Sequence, residues 1–312
     1  MYAAPDRRAF LIQTAALALG AAGGATLAPR TAGAVESFAR TRPSLLKLSL
    51  AAYSFREYLQ AKKGSNEPAP MSLLDFIDYC ADLRLDGTEL TSYYFPNPIP
   101  EGYFARIKRR THLLGLAVSG TAVGNTFTLP PGPERQKQID SVKQWVDHAA
   151  AFGAPCIRIF SGSIPKGHTL EEAMTWAVEC IEEACAYAGI KGVFLALENH
   201  GGISIPAANL LAILERVRSP WFGVNLDTGN FGTKDPYAEM RRVAPYAVNV
   251  QVKTEIRPEG GKRQEADLEK VIGILREAKY SGYVALEYEA AEDPKTAVPK
   301  AIEALRAAIA GA

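Results

Sequence analysis

The feature that most constrains this chain is a regular alternation between short apolar runs and amphipathic stretches of helical length. From Leu45 onward, the alternation repeats eight times. Such repeats are typical of βα units arranged around a parallel sheet. Eight units in about 265 residues match the size and order of a (β/α)8 TIM barrel, which takes roughly 250 residues. We therefore predict an α/β fold with one barrel domain over residues 45–310.

The predicted strands are short apolar runs, and amphipathic helical patterns lie between them. The strands are predicted at 46–53, 87–92, 117–122, 156–161, 193–199, 222–227, 247–253 and 283–288. The clearest helical patterns cover 72–83, 133–152, 170–188, 207–217 and 266–278. Gly153, Gly189 and Gly282 are predicted to follow helix ends, where a left-handed residue is needed. An open doubly wound sheet is disfavoured. Such a sheet typically has a Gly-rich phosphate-binding turn after its first strand, and this sequence has no glycine there.

Polar side chains end the last four predicted strands. They are Glu198, Asp227, Gln251 and Glu287. The residues two positions before them are small or polar, and the opposite phase is apolar. Because side chains alternate between the two faces of a strand, all four are predicted to point into the barrel. The functional end of such a barrel is where its strands end, so these residues are the first candidates for a site.

Three carboxylates on one barrel axis repel one another and need a counter-charge in a low-dielectric pocket. A divalent cation would supply it. The carboxylates of Glu198, Asp227 and Glu287 with the amide oxygen of Gln251 form a hard, oxygen-rich set. Such a set suits Mn²⁺ first, with Mg²⁺, Co²⁺, Fe²⁺ and Zn²⁺ also compatible. The alternative is that the glutamates form structural ion pairs with Lys253 or with arginines.

Three segments carry a family resemblance. They are LENHGG at 197–202, LDTGN at 226–230 and VALEY at 284–288. Over residues 45–310 the chain resembles the xylose isomerase-like TIM-barrel family. In the ketose 3-epimerase branch of that family, Glu, Asp, His and Glu hold a metal, and both glutamates exchange a proton with substrate. Glu198, Asp227 and Glu287 match this pattern, and Gln251 stands at the position of the histidine.

Other residues are candidates for contact with substrate. Asn230 stands where that branch has a second histidine, and Arg257 has the spacing of an arginine that contacts substrate. His200 and Lys253 share the inward phase of Glu198 and Gln251. Glu89 on the second strand is a further candidate, either for orienting substrate or for holding a neighbouring residue. The family's endonuclease branch is disfavoured, because its zinc centre needs many histidines and this chain has four.

The resemblance implies a metal-dependent sugar isomerase or epimerase that acts on an unphosphorylated sugar or keto-sugar. Glu198 and Glu287 would abstract and return an α-proton, while the metal would stabilise the enediolate. A lyase of the same family, eliminating from a 3-keto-glycoside or acting as a dehydratase, is the first alternative. A sugar-binding barrel without catalytic activity is the second.

The N-terminal segment predicts export. Arg7 and Arg8 precede an Ala-rich apolar stretch, and Ala32-Gly33-Ala34 suits a signal peptidase. Residues 1–34 resemble a twin-arginine signal peptide, which implies the twin-arginine translocase as a partner and a periplasmic or secreted location. No later run reaches the ~20 apolar residues of a membrane span.

Charge bears on the class of ligand, and cysteine spacing bears on the state of the thiols. The chain has 35 Lys and Arg against 34 Asp and Glu. No basic excess favours nucleic acid as a partner. The family resemblance implies a small carbohydrate as ligand, and a homo-oligomer is compatible with the sequence. The four cysteines contain no C-x-x-C pair and are predicted to be buried thiols.

Overall fold

The eightfold alternation folds into a closed barrel. A computed structural model describes residues 35–61 and 68–311. Its eight parallel barrel strands, numbered in chain order, are β1 Leu46–Ala51, β2 Gly87–Thr91, β3 Ala117–Ala122, β4 Cys156–Ile159, β5 Phe194–Glu198, β6 Phe222–Asp227, β7 Ala247–Val252 and β8 Gly282–Leu286. Each strand pairs with its neighbours along the chain. Strand β8 closes the barrel on β1, with Leu46 opposite Gly282 and Leu50 opposite Leu286.

A helix follows each strand and packs outside the barrel. The helices are α1 Leu73–Asp82, α2 Tyr103–Leu113, α3 Pro133–Phe152, α4 Leu170–Lys191, α5 Ala207–Arg216, α6 Pro236–Val243, α7 Leu268–Glu277 and α8 Pro294–Gly311. Short helical turns lie at Ala52–Phe55, Arg56–Leu59, Ser92–Tyr94, Gly202–Ser204 and Ala244–Tyr246. A two-stranded antiparallel hairpin, Glu255–Ile256 with Gln264–Glu265, follows β7. The periodicity of the sequence did not predict this hairpin.

Local sequence explains where several helices begin. Ser72 forms a capping box with Asp75 at the start of α1, and Thr169 forms one with Glu172 at the start of α4. In each box, two backbone N–H groups that lack a partner within the helix find a side-chain acceptor. Helix α3 begins at Pro133, a position where the missing N–H costs no hydrogen bond.

The predicted helix ends are partly wrong. Gly153 does end α3 in a left-handed conformation, with φ 91°. Gly189, however, lies inside α4, which continues to Lys191 and ends at Gly192. A side chain at position 189 would bring a Cβ within 2.5 Å of Trp221, so this glycine serves close packing rather than helix termination. Gly282 begins β8, five residues after α7 ends at Glu277.

The core has two parts of different chemistry. Between the barrel and its helices lies a continuous apolar layer that includes Leu50, Phe76, Ile157 and Leu226, none of them more than 1% exposed. The barrel interior is mostly polar instead. Its buried side chains include Ser49, Glu89, Ser119, Asn225, Asn249 and Gln251. Buried polar groups are stable only when they are hydrogen-bonded, so the interior must carry a closed network.

Two expectations concern membranes and export. Within the described ranges, no helix combines the length and the apolar character needed to cross a membrane. The predicted signal peptide, residues 1–34, lies outside the described residues.

All four cysteines are free and buried, at positions 80, 156, 180 and 185. Burial raises the pKa of Cys80 to about 12 and that of Cys180 to about 11. Because the thiolate is the reactive form, we predict that a disulfide reagent at pH 8 labels no cysteine quickly in the native protein and labels all four after denaturation. Rapid labelling of one native thiol would contradict the packing described here.

Candidate active site

The four side chains predicted at the strand ends all lie inside the barrel, with Glu198, Asp227 and Glu287 at its mouth and Gln251 just beneath them. Asp227 is in register with Gln251 across β6 and β7, and Gln251 with Ala285 across β7 and β8. Glu198, Asp227, Gln251 and Glu287 are 3%, 0%, 1% and 8% exposed. The inward phase read from the sequence therefore agrees with their placement.

The ammonium of Lys253 lies among three carboxylates at this mouth. Its Nζ is 2.7 Å from Glu287 Oε1, 2.8 Å from Glu289 Oε2 and 3.3 Å from Asp227 Oδ2. Burial disfavours the charged ammonium, but these three carboxylates outweigh it and hold the pKa of Lys253 well above its usual value. The surroundings of Lys253 therefore favour its charged form.

A second cation faces Glu198. The Nε of Arg158 on β4 is 3.0 Å from Glu198 Oε2, and the Arg158 guanidinium lies over the Phe160 ring at 3.9 Å. Asn230 donates to the other oxygen, Glu198 Oε1, at 2.9 Å. Burial raises the pKa of Glu198 well above its usual value. Arg158 opposes this rise, and the charges of Asp227 and Glu287 add to it.

Asp227 is fixed through its backbone as well as its side chain. Asn199 accepts from the Asp227 N–H at 2.9 Å and donates to the Asp227 carbonyl at 2.8 Å. The Gly229 N–H donates to Asp227 Oδ1 at 2.8 Å. Burial raises the pKa of Asp227 to about 6, although the positive charge of Lys253 opposes the shift.

Beneath the mouth, four side chains form a closed ring of hydrogen bonds. Gln251 Nε2 donates to Glu89 Oε1 at 2.6 Å, and Gln251 Oε1 accepts from Asn225 at 2.6 Å. Asn249 donates to Asn225 Oδ1 and to Glu89 Oε2, each at 2.8 Å. Burial, followed by the charge of Glu287, raises the pKa of Glu89 to about 7. Both polar ends of the Gln251 amide are thus occupied.

Comparisons with known proteins place this barrel in a family. A family model described as a xylose isomerase-like TIM barrel matches residues 77–308. The chain belongs to that family. No curated protein matches it.

Solved structures share the fold of this xylose isomerase-like barrel. One is a D-psicose 3-epimerase with D-tagatose from Clostridium cellulolyticum, with TM-score 0.68, 14% identity, and coverage of 84% of this chain and 99% of the other. The IolI protein with a bound zinc atom has a TM-score of 0.69 and 17% identity, with coverage of 85% of this chain and 97% of the other. The E. coli 3-keto-D-glucoside 4-epimerase YcjR has a TM-score of 0.65 and 15% identity, with coverage of 84% of this chain and 99% of the other. At these identities the likeness shows the fold alone.

The residues at the mouth do not fit the divalent ion that the sequence predicted. The amide of Gln251 is committed at both ends to the ring below, and the Lys253 ammonium lies among the carboxylates of Asp227 and Glu287. Within residues 35–61 and 68–311, no cluster of three or more His, Cys, Asp or Glu is arranged to hold a metal. The contacts observed are those of the alternative, in which the acidic groups pair with Lys253 and an arginine.

The other predicted residues lie in three places: a cleft next to the mouth, the rim of the barrel, and the hydrogen-bonded ring beneath the mouth. Asn230, Lys253 and Arg257 line a cleft of about 200 Å³ next to the mouth, together with Glu289. His200 is exposed at the rim, with its ring centroid 4.5 Å from that of Phe160. Glu89 differs from these, because it is fully buried in the hydrogen-bonded ring and does not line the cleft.

Sequence reasoning missed Arg158 and Glu289. Arg158 had a signal, since it is a charged residue inside the apolar run Cys156-Ile157-Arg158-Ile159. Its neighbour across the sheet is Ala196, two residues before Glu198, so its side chain enters at the right height. Glu289 follows Glu287 by two residues and shares its facing, which the strand period could have revealed.

The pair Arg158–Glu198 is buried on both sides, so removing one partner leaves an uncompensated charge. We predict that Arg158→Met lowers the free energy of unfolding by about 3–5 kcal/mol. Adding Glu198→Gln should restore part of the loss, with a coupling energy above ~1 kcal/mol in a double-mutant cycle followed by urea unfolding.

The exposed pair Arg241–Glu277, at 3.2 Å, is the matched control for this cycle. Its coupling energy should stay below ~1 kcal/mol. Equal coupling in the two cycles would show that the Arg158–Glu198 contact has no special weight.

Proposed function

We propose that this protein is a sugar isomerase or epimerase that moves a proton next to a carbonyl of an unphosphorylated carbohydrate. One observation carries the proposal. Two glutamates, Glu198 and Glu287, end separate strands of the same barrel mouth, and each is held by its own cation. Paired, positioned carboxylates beside fixed positive charge are suited to proton abstraction from carbon.

The two glutamates divide the proton transfer between them. One carboxylate takes the α-proton, and the bonding electrons move onto the carbonyl oxygen to give an enediolate. If the other glutamate returns a proton to the opposite face of that carbon, the product is an epimer. If the proton returns to the neighbouring carbon, and a second proton moves from the hydroxyl on the first carbon to the former carbonyl oxygen, an aldose and a ketose interconvert. Burial raises the pKa of Glu198, which makes its carboxylate a stronger base for the α-proton.

Two buried polar atoms favour a ligand with many hydroxyl groups. Arg158 Nε and Asp227 Oδ2 have no hydrogen-bond partner among the described residues, although each lies close to an opposite charge. An unsatisfied buried donor or acceptor is costly, and a hydroxyl group can satisfy either kind. The solved epimerases of this fold act on sugars by their printed names, which supports the same class of substrate here.

Charge at the mouth argues for a substrate without phosphate. Four carboxylates, those of Glu198, Asp227, Glu287 and Glu289, face the two cations Arg158 and Lys253. A phosphate ester would add two negative charges to a region that is already acidic. The proposal contains no step through a divalent ion, because the residues present do not fit one.

We also propose export by the twin-arginine route, with action in the periplasm or outside the cell. The support is Arg7-Arg8 before an Ala-rich stretch that ends at Ala32-Gly33-Ala34. Free sugars and glycosides, rather than sugar phosphates, fit such a location.

The test is solvent exchange. Free ketoses and a 3-keto-glucoside are incubated with protein in D₂O, and deuterium at the α-carbon is followed by NMR. We expect incorporation with at least one of them. Glu198→Gln and Glu287→Gln should each lower the rate by about 10²–10⁴-fold, the usual contribution of a general base. Glu101→Gln, on an exposed turn, should leave it unchanged.

Three other outcomes separate the alternatives. Release of the aglycone from the 3-keto-glucoside would show a lyase. Saturable sugar binding without exchange would show a barrel that only binds. Exchange that survives both glutamate substitutions would overturn the assignment of these two residues.

A further inference from the structure

We propose that Lys253 is the resident cation of this site. Its ammonium takes the place among the carboxylates that a divalent ion would need, and it stabilises the negative oxygen that forms on substrate. The chain would then catalyse proton transfer with a cation supplied by its own sequence. The catalytic half of this inference rests on the function proposed above, whereas the placement of Lys253 can be tested by itself.

The first argument is that Lys253 is held by three carboxylates rather than by one. Its Nζ lies within 3.3 Å of carboxylate oxygens of Asp227, at the end of β6, and of Glu287 and Glu289, just after β8. The Lys253 side chain is 8% exposed. A second cation at the same place would face the full repulsion of the ammonium at short range and in a poorly solvated pocket. A divalent ion between Asp227 and Glu287 would therefore have to displace the Lys253 ammonium.

The second argument is that the chain is shaped around this lysine. A Cβ at Gly229 would lie 2.5 Å from Lys253 Cγ, so glycine leaves the space through which the side chain passes. Thr228 Oγ1 accepts from the Lys253 N–H at 2.9 Å, and the Thr228 N–H donates to the Gln251 carbonyl at 3.0 Å. Backbone and side chain together fix where the ammonium goes.

The third argument is that Gln251, predicted as the fourth ligand of the metal, is hydrogen-bonded within the barrel floor instead. Gln251 bonds Glu89 and Asn225 at 2.6 Å each, so its oxygen is directed into the floor of the barrel. An ion that took the Gln251 oxygen in place of Asn225 would leave the buried Asn225 amide without this partner. That cost stands against metal binding independently of Lys253.

The fourth argument is access. Lys253 lines the cleft beside the mouth, along with Asn230 and Glu289. A substrate carbonyl oxygen that enters from the cleft can accept a hydrogen bond from an N–H of the ammonium. When a glutamate removes the α-proton, the electron pair moves to this oxygen, and the ammonium stabilises the charge without giving up its own proton. The proton then returns from carboxylate to carbon, so atoms and electrons balance.

The experiment has two arms that use the wild-type protein. In the first, protein stripped with a chelator is titrated with Mn²⁺ by calorimetry. We expect no one-to-one binding at micromolar metal, and one-to-one binding would overturn the inference. In the second arm, the exchange rate in D₂O is measured before and after chelation. The rate should stay the same, and a loss that Mn²⁺ restores would equally overturn it.

A variant arm tests the catalytic half. Lys253→Met should lower kcat by about 10²–10³-fold, the effect of removing one oxyanion donor, with a smaller change in KM. Lys143→Met is the matched control, because Lys143 is also paired with a glutamate at 2.7 Å but lies on helix α3, and it should keep the wild-type rate. An unchanged kcat in Lys253→Met would overturn the catalytic role.

The two proposals fail in different ways. If no sugar shows exchange with the wild-type protein, the proposed function fails, and the Mn²⁺ titration still decides whether Lys253 holds the place of a metal.

Discussion

The site depends on one electrostatic constraint, the burial of several carboxylates at one end of a barrel. Taking an ionised carboxylate out of water costs several kcal/mol, and like charges at close range add to that cost. Here the compensation comes from side chains of the same chain. Lys253 meets Asp227, Glu287 and Glu289, and Arg158 meets Glu198. The chemistry proposed for this protein depends on which positive groups neutralise these carboxylates.

The floor of the site keeps this arrangement in place. The interior of a TIM barrel is usually filled by branched apolar side chains. In this barrel, Glu89, Asn225, Asn249 and Gln251 bond one another in a closed ring instead. A ring in which each member is satisfied is rigid, whereas a broken one leaves costly orphan groups. The ring thus joins the ends of β6 and β7, from which Asp227 and Lys253 project.

Much of the fold could be predicted from the sequence, because it rests on local periodicity. The eight apolar runs marked the strands, and the two-residue phase around Glu198, Asp227 and Glu287 placed their side chains inside. What periodicity does not contain is the reach of a long side chain. The sequence pattern therefore predicted a metal as the counter-charge of the carboxylates. Periodicity could not show that Arg158 on β4 lies beside Glu198 on β5, or that Lys253 Nζ lies among three carboxylates. Gly189 was misread for a similar reason, since its role depends on Trp221, which is distant in sequence.

The most direct measurement of the central claim is a crystal structure of the protein grown with millimolar Mn²⁺, with anomalous data collected near the manganese edge. The account predicts Lys253 Nζ within ion-pair distance of Asp227 and Glu287, and no anomalous peak among the carboxylates. A manganese peak between Glu198, Asp227 and Glu287, with Lys253 turned away into the cleft, would contradict it.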